Sequence, residues 1–460
     1  MKISFWGAAK QVTGSMHLIE LDSGYKVLLD CGLDYEQLKH FHYNPNDKFP
    51  FSVNDIDLVI LSHAHIDHSG NLPNLIRQGF SGQIICTPPT AELVGNLLLD
   101  SAKIQDYEYR KNKKGKLKKP KPLYGEKDVQ HTLEQLFTLH CHQLFKINNE
   151  ISMEFFDVGH LLGAAAVKLT INEKNKNKTI LFTGDIGRNG SELLSDAETL
   201  PEVDIIISES TYGDRMHIIK QSSEDELMSY VQSCCIDKMG KLIIPAFSVG
   251  RTQSILFTLH KLYRQGKLPE MPIYVDSPLA IKSTYIYENY IDTLNEDAKA
   301  FYQKHRFLFK FDNLKLIEGR DDLALSGGLT DRCIIVSAAG MVEGGRIQQH
   351  VSNHISSPYA TILIAGYCAE GTLGHKLLQG MSSITIKGKE HLIYAQIAQT
   401  DVFSSHADKN QLFAMLSPHK NSDIYLVHGD EKNMNGLANN LKESGCKKVI
   451  MPESGQSFTY

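Results

Sequence analysis

The stretch Asp57-Leu58-Val59-Ile60-Leu61 runs straight into Ser62-His63-Ala64-His65-Ile66-Asp67-His68, and no other feature narrows the possible folds as sharply. A short, strongly apolar run bounded by turn residues reads as a β-strand inside a layered core. Its end delivers three imidazoles and one carboxylate to a single loop. His63 and His65, two positions apart, can face the same side, whereas Asp67 and His68 are offset toward a neighbouring position. Buried histidines without partners are costly, so this loop has to hold something. Imidazole and carboxylate without thiolate favour Zn(II), with Mn(II) or Fe(II) as alternatives, and two offset sets suit two ions. A His-rich surface turn is the plainer reading, and the apolar strand leading into the loop argues against it.

Around this point the chain reads as mixed α/β. Strands are predicted at Lys2 to Trp6, His17 to Leu21, Lys26 to Leu29, Ile151 to Asp157, Ala166 to Ile171, Thr179 to Thr183 and Asp204 to Ser208, with helices at Leu72 to Arg77 and Thr90 to Gln105. Beyond residue 210 the rhythm changes. Leu242 to Pro245, Ile273 to Val275, Cys333 to Ser337 and Thr361 to Ile364 alternate with helical stretches such as 249–265 and the region after Pro278, the pattern of a parallel, Rossmann-like sheet. Near residue 395 the first pattern returns, with strand Tyr394 to Ile397, helix 409–416, strand Asp423 to Val427, helix 433–443 and a strand near 448–451. The middle therefore reads as an insert, giving the segments 1–208, 209–395 and 396–460.

Composition limits the partners. With 48 basic against 53 acidic residues, net −5, the chain has no global positive field, so any polyanion contact must be local. One candidate is Arg110 to Lys121, with eight basic side chains and no acidic one, read as a loop. It is either a solvated segment or a phosphate-backbone contact. The eight cysteines include no Cys-x-x-Cys pair, which argues against a disulfide framework and a thiolate zinc site. No apolar run approaches the ~18 residues of a membrane span, and the start is unlike a signal peptide. A reduced, cytoplasmic protein without a membrane segment is expected.

His63 to His68 resembles the H-x-H-x-D-H signature of the metallo-β-lactamase superfamily. Further residues follow in the family's order: Asp30 in Leu28-Leu29-Asp30-Cys31-Gly32, His160 in Asp157-Val158-Gly159-His160, and Asp185 in Phe182-Thr183-Gly184-Asp185. Glu209 in Ile207-Ser208-Glu209-Ser210-Thr211, His406 in Ser404-Ser405-His406-Ala407-Asp408 and His428 in Val427-His428-Gly429-Asp430 resemble motifs A, B and C of the β-CASP nucleases. The likeness spans essentially the whole chain. A His at motif C, 22 residues after His406 (428 − 406), resembles the RNA-processing branch. The chain looks like a compact bacterial homologue of the nuclease subunit of the eukaryotic cleavage and polyadenylation specificity factor.

The resemblance implies an α/β fold, a metallo-β-lactamase αββα sandwich with an inserted Rossmann-like β-CASP domain. It also implies zinc-dependent hydrolysis of RNA phosphodiester bonds, endonucleolytic or 5′-exonucleolytic. Two Zn(2+) per chain are implied, the first on His63, His65 and His160 and the second on Asp67, His68 and His428, with Asp185 bridging and a hydroxide between the ions attacking phosphorus. His406 is assigned to the leaving 3′-oxygen or the phosphate, Glu209 to keeping His406 cationic, and Asp30 to supporting the ligands. Asp67 as the base is a competing scheme. RNA is the implied partner and a homodimer the implied assembly.

Substrate-binding candidates fall in the insert. Ser337 and Gly340 follow the strand Cys333 to Val336, while Gly371 and Thr372 lie in the Gly-rich stretch Gly366 to Gly374 after Thr361 to Ile364. Both are strand-to-loop transitions where Gly lets backbone N–H groups approach an anion. Arg251, after Gly250, and Arg346, after Gly345, are either phosphate contacts or structural cations. A thioesterase or lactonase of the same superfamily is the alternative, weakened by an insert larger than a small substrate needs. A decayed, non-enzymatic scaffold is weakened by the completeness of the ligand set.

Overall fold

The computed structural model describes residues 1–34, 48–113, 121–174, 176–319 and 332–460. The chain divides into two compact units, one made of Met1–Asn189, Asp196–Met216 and His406–Tyr460, the other of Gly190–Ser195 and His217–Ser405.

The first unit carries two seven-stranded sheets. One runs Ser457–Thr459, Lys2–Gly7, Met16–Glu20, Lys26–Leu29, Leu58–Ile60, Gln83–Cys86, Leu136–Thr138. The other runs Lys448–Ile450, Asp423–Val427, Ile205–Glu209, Lys176–Phe182, Ala165–Glu173, Ile151–Asp157, Phe145–Lys146. Period-2 patterning decides what lies between them. Ile3 and Phe5, Val27 and Leu29, and Leu58 and Ile60 from the first sheet meet Met153 and Phe155, Ile180 and Phe182, and Ile205 and Ile207 from the second in one buried core. Helix Pro88–Lys113 packs on the first sheet's edge strand and helix Glu431–Glu443 on the second sheet. This is the expected αββα sandwich.

Phe155 is fully buried in that core. Phe155→Ala should destabilise the protein by about 3–5 kcal/mol. A lowered denaturation midpoint with an unchanged m-value is the expected result, and a loss under about 1 kcal/mol would show that the two sheets do not depend on that ring.

The second unit is built on an all-parallel sheet in the order Leu314–Leu316, Ile273–Val275, Cys333–Ser337, Lys241–Pro245, Thr361–Ala365, Gln396–Thr400. Helices Arg251–Arg264, Pro278–Asn289 and Ile347–His354 separate its strands in sequence, which is the predicted Rossmann-like alternation. The boundaries differ from the sequence reading. The strand expected at Tyr394 to Ile397 runs Gln396–Thr400 and pairs in parallel with Thr361–Ala365, so it belongs to the insert. The chain leaves the first unit after Met216 and returns at His406 rather than at 396.

A second difference concerns the basic stretch. Arg110 to Lys113 are the last turn of helix Pro88–Lys113, not loop. Arg110 pairs with Asp106 one turn earlier, its Nε 2.9 Å from Oδ2, and Lys and Arg are good helix formers. Residues 114–120 lie outside the described residues. Among the described residues, no helix is long and apolar enough to cross a membrane.

Candidate metal centre

Parallel pairing fixes where the functional side chains emerge. Strand Lys26–Leu29 pairs with Leu58–Ile60 in the register Leu29↔Ile60, so Asp30 leaves the first sheet beside Leu61 and Ser62. In the second sheet, Phe182↔Ile207 and Glu209↔Val427 are in parallel register, so Asp185, Glu209 and His428 emerge from neighbouring carboxyl ends. His65 caps and Asp67 and His68 ride on the short helix Ile66–Ser69. Gly32 is required for this helix to approach, because a Cβ there would fall 1.6 Å from the Asp67 carbonyl oxygen.

Three clusters of possible ligands result. His63, His65, His160 and Asp185 form the first ligand group and Asp67, His68 and His428 the second, while Asp185, Glu209 and His406 form a further cluster; the ligating atoms of each lie within 4.8 Å of one another. His65 Nδ1 lies 3.1 Å from His63 Nε2 and 3.2 Å from His160 Nε2. Asp185 faces both groups. Its Oδ2 is 3.5 Å from His63 Nε2 and 3.6 Å from His160 Nε2, while its Oδ1 is 3.3 Å from His68 Nε2. Asp67 Oδ2 stands 3.5 Å from His428 Nε2.

These spacings fit a metal. A tetrahedral ion with bonds of about 2.0–2.1 Å holds its ligand atoms roughly 3.3–3.5 Å apart. His68 Nε2, His428 Nε2 and Asp185 Oδ1 are buried without a hydrogen bond, which native interiors rarely tolerate unless an ion or other partner belongs there. Electrostatics point the same way. Burial, reinforced by the charge of His68, holds the His63 imidazole well below its usual value, and burial brings His65 down to about 4. Burial opposes ionisation of Asp185, but His428, His68 and His63 outweigh it and keep the carboxyl well below the usual range. Neutral imidazoles and an ionised carboxylate are what cations require. His68 is the exception: burial opposes a proton there, but Asp185 and Asp30 hold one on it, a proton that a cation displaces.

The far ring nitrogens of His63, His68 and His428 are anchored. His68 Nδ1 donates to Asp30 Oδ2 at 2.6 Å. His63 Nδ1 lies 3.1 Å from Ser62 Oγ, which donates to Asp30 Oδ2 at 2.9 Å. Asp30 stands in neither ligand group, so this one buried carboxylate orients two histidines through their far nitrogens. His428 Nδ1 instead meets Thr211 Oγ1 at 3.1 Å. Ser62 and Thr211 were not singled out from the sequence. Their only signal was a hydroxyl next to His63 and two residues past Glu209, and such residues occur everywhere.

Glu209 is fully buried. It accepts from the backbone N–H groups of Ile186 and Thr211, and its Oε1 and Oε2 lie 3.2 and 3.3 Å from His406 Nδ1. Burial opposes a charge on His406, yet Glu209, by charge and hydrogen bond, raises its pKa above the ordinary value. The His406 ring sits 4.5 Å from that of His160. Burial likewise works against ionisation of Asp67, but His428 and His68 hold its carboxyl far down.

In the second unit, the substrate-binding candidates spend their polar atoms locally. Ser337 Oγ donates to the Asp276 carbonyl at 2.7 Å. Thr372 caps helix Leu373–Leu378, accepting from His375 N at 3.2 Å. Arg251 is buried, with its Nε donating to the Phe403 carbonyl and its guanidinium 4.7 Å from the Phe247 ring centre. Arg346 pairs with the buried carboxylate of Asp276, which also accepts from His350 Nε2 at 2.7 Å. Gly340 packs on Phe247, and Gly371, with φ +82°, opens onto free space. Arg251 and Arg346 thus each have a partner within the second unit.

The sequence pattern of the metallo-beta-lactamase superfamily matches residues 10–229, that of the Beta-Casp domain residues 252–377, and that of the Zn-dependent metallo-hydrolase RNA specificity domain residues 390–452. Over 457 residues the chain is 30% identical to ribonuclease TTHA0252 of Thermus thermophilus, covering 99% of each. The chain belongs to the β-CASP family of the metallo-β-lactamase superfamily. Other β-CASP relatives include an RNase J-like protein of Methanocaldococcus jannaschii, 31% identical over 93% of this chain and 92% of that one. Cleavage and polyadenylation specificity factor 73 of Drosophila melanogaster is 30% identical over 95% of this chain and 61% of that protein. The β-CASP match at 252–377 falls wholly inside the second unit, and every ligand-group residue lies in the first.

Proposed function

We propose that this β-CASP protein is a zinc-dependent ribonuclease that hydrolyses RNA phosphodiester bonds as an endonuclease, with 5′-exonuclease action as a second mode. The observation that carries the reading is Asp185, one buried carboxylate presenting Oδ2 to His63 and His160 and Oδ1 to His68. His63, His65 and His160 would hold one ion, Asp67, His68 and His428 the other, and Asp185 both. Ions so bound supply an acidified water and positive charge against the phosphate oxygens.

The chain's own residues do the rest. Glu209 holds His406 cationic and turns its Nδ1 inward, which leaves the Nε2 proton to be donated to the departing 3′-oxygen. Asp30 and Ser62 keep His63 and His68 presenting Nε2. The assembly proposed alongside is a homodimer, read by light scattering.

The test is digestion of 5′-blocked, 5′-monophosphorylated and circular RNAs by the zinc-loaded protein, beside a thioester and a lactone. Cleavage of the circular RNA is expected. Turnover of the thioester or lactone with all three RNAs left intact would overturn the reading.

A further inference from the structure

The ligating histidines are not anchored alike. His63 and His68 hand their far nitrogens to a carboxylate, Asp30, directly or through Ser62. His428 leans on the neutral hydroxyl of Thr211. We infer that Thr211 is a positioning residue that fixes the His428 ring with its proton on Nδ1 and thereby sets the affinity of the second cation site, built from Asp67, His68 and His428. The inference rests on the proposed metal reading and deepens it.

The geometry leaves Thr211 little freedom. Its hydroxyl is 3.2 Å from the His428 carbonyl oxygen, to which it donates, and 3.1 Å from His428 Nδ1. A hydroxyl has one proton and two lone pairs. Where that proton goes to the carbonyl, Thr211 Oγ1 accepts from the ring and Nδ1 is the protonated nitrogen. Asp185 Oδ1, the other atom near Nδ1, is 3.5 Å away, beyond a hydrogen bond of ordinary length. Nε2 is then left with its lone pair, buried and without a hydrogen bond, 3.5 Å from Asp67. A cation on Nε2 requires this same tautomer. Whatever stabilises the Nδ1 proton therefore stabilises the bound ion.

The surrounding backbone is stitched to hold this contact. His428 has φ +49°, a conformation unusual for a non-glycine residue, and its N–H donates to the Ala8 carbonyl at 2.7 Å. Ser210 donates from Oγ to the Val427 carbonyl at 2.7 Å and from its N–H to the His428 carbonyl at 3.2 Å. A Cβ at Gly429 would come within 2.5 Å of Ser210 Oγ, so the two turns touch only because that residue is glycine. Glu209 and Thr211 share the first turn: Glu209 holds His406, and Thr211 holds His428. Anchored by a hydroxyl rather than a carboxylate, His428 gains less basicity than His68 does.

The test compares the wild type with Thr211→Val, which keeps the shape and removes the hydroxyl, and Thr211→Ser, which keeps the hydroxyl. The apo proteins are titrated with zinc against a chelating competitor. The wild type should bind two ions. In Thr211→Val one ion should keep its wild-type affinity and the other be loosened by about 10–100-fold, with Thr211→Ser restoring most of the loss. Wild-type affinity for both ions in Thr211→Val would overturn the inference, as would equal weakening of both. Should Thr211→Val not fold, the His428 tautomer in the zinc-free wild type, read from ring nitrogen-15 shifts, decides alone: a proton on Nε2 overturns the proposal. A wild type that binds no zinc would instead sink the metal reading itself.

Discussion

Asp185→Ala should abolish RNA cleavage while leaving the fold largely intact. Asp185 faces both ligand groups, so its loss would remove a ligand from each of the two proposed ions, which together would supply several kcal/mol of transition-state stabilisation. At ~1.4 kcal/mol per tenfold, a rate loss of roughly 10³-fold or more is expected. His65→Ala should behave alike, because His65 Nδ1 lies within 3.2 Å of both His63 Nε2 and His160 Nε2. Asp185→Ala also removes a buried negative charge from among four histidines, so circular dichroism and a thermal melt belong beside the activity measurement. Cleavage at an undiminished rate in either purified, folded variant would show that RNA hydrolysis takes place elsewhere.

The second large effect separates two histidines that share the site. His406→Ala should lose about 10²–10⁴-fold in rate, the usual contribution of a general acid, yet keep both proposed ions, since the two groups assigned to them are complete without it and, although it also clusters with Asp185 and Glu209, its Nδ1 is engaged by Glu209. His428→Ala should lose the second ion and the activity together. Elemental analysis of the two purified variants checks the split. If metal content fell as far in His406→Ala as in His428→Ala, the acid and ligand roles would have to be exchanged or merged. The buried Glu209 makes this a sharp comparison, because its only side-chain hydrogen-bond partner among the described residues is His406, its other partners being backbone N–H groups.

Much of this was legible beforehand where the chemistry is local. Strands Lys26–Leu29, Ile151–Asp157, Ile273–Val275, Cys333–Ser337 and Asp423–Val427 and helix Leu72–Arg77 run between the very residues that periodicity marked. Each is a short segment whose apolar spacing leaves one solution. The seven proposed ligands stood out because cations accept few donor types, so chance does not readily assemble them in order. Errors came where the deciding partner was remote. Periodicity identified a strand near 395 but could not say which sheet it would join, and its pairing with Thr361–Ala365 placed it in the insert. The partners of Arg251 and Arg346, the Phe403 carbonyl and Asp276, lie 152 and 70 residues away, where no local pattern points.

The sequence by itself therefore determined the donor set, the order of the motifs and the alternation of strands and helices, because each follows from residue type and spacing within a few turns of chain. Only the tertiary structure decided which nitrogen each histidine offers. That choice depends on what lies behind the ring: a carboxylate 38 residues earlier for His68, a hydroxyl 217 residues earlier for His428. Contacts over such separations are made by sheet register and turn packing, which no local pattern encodes.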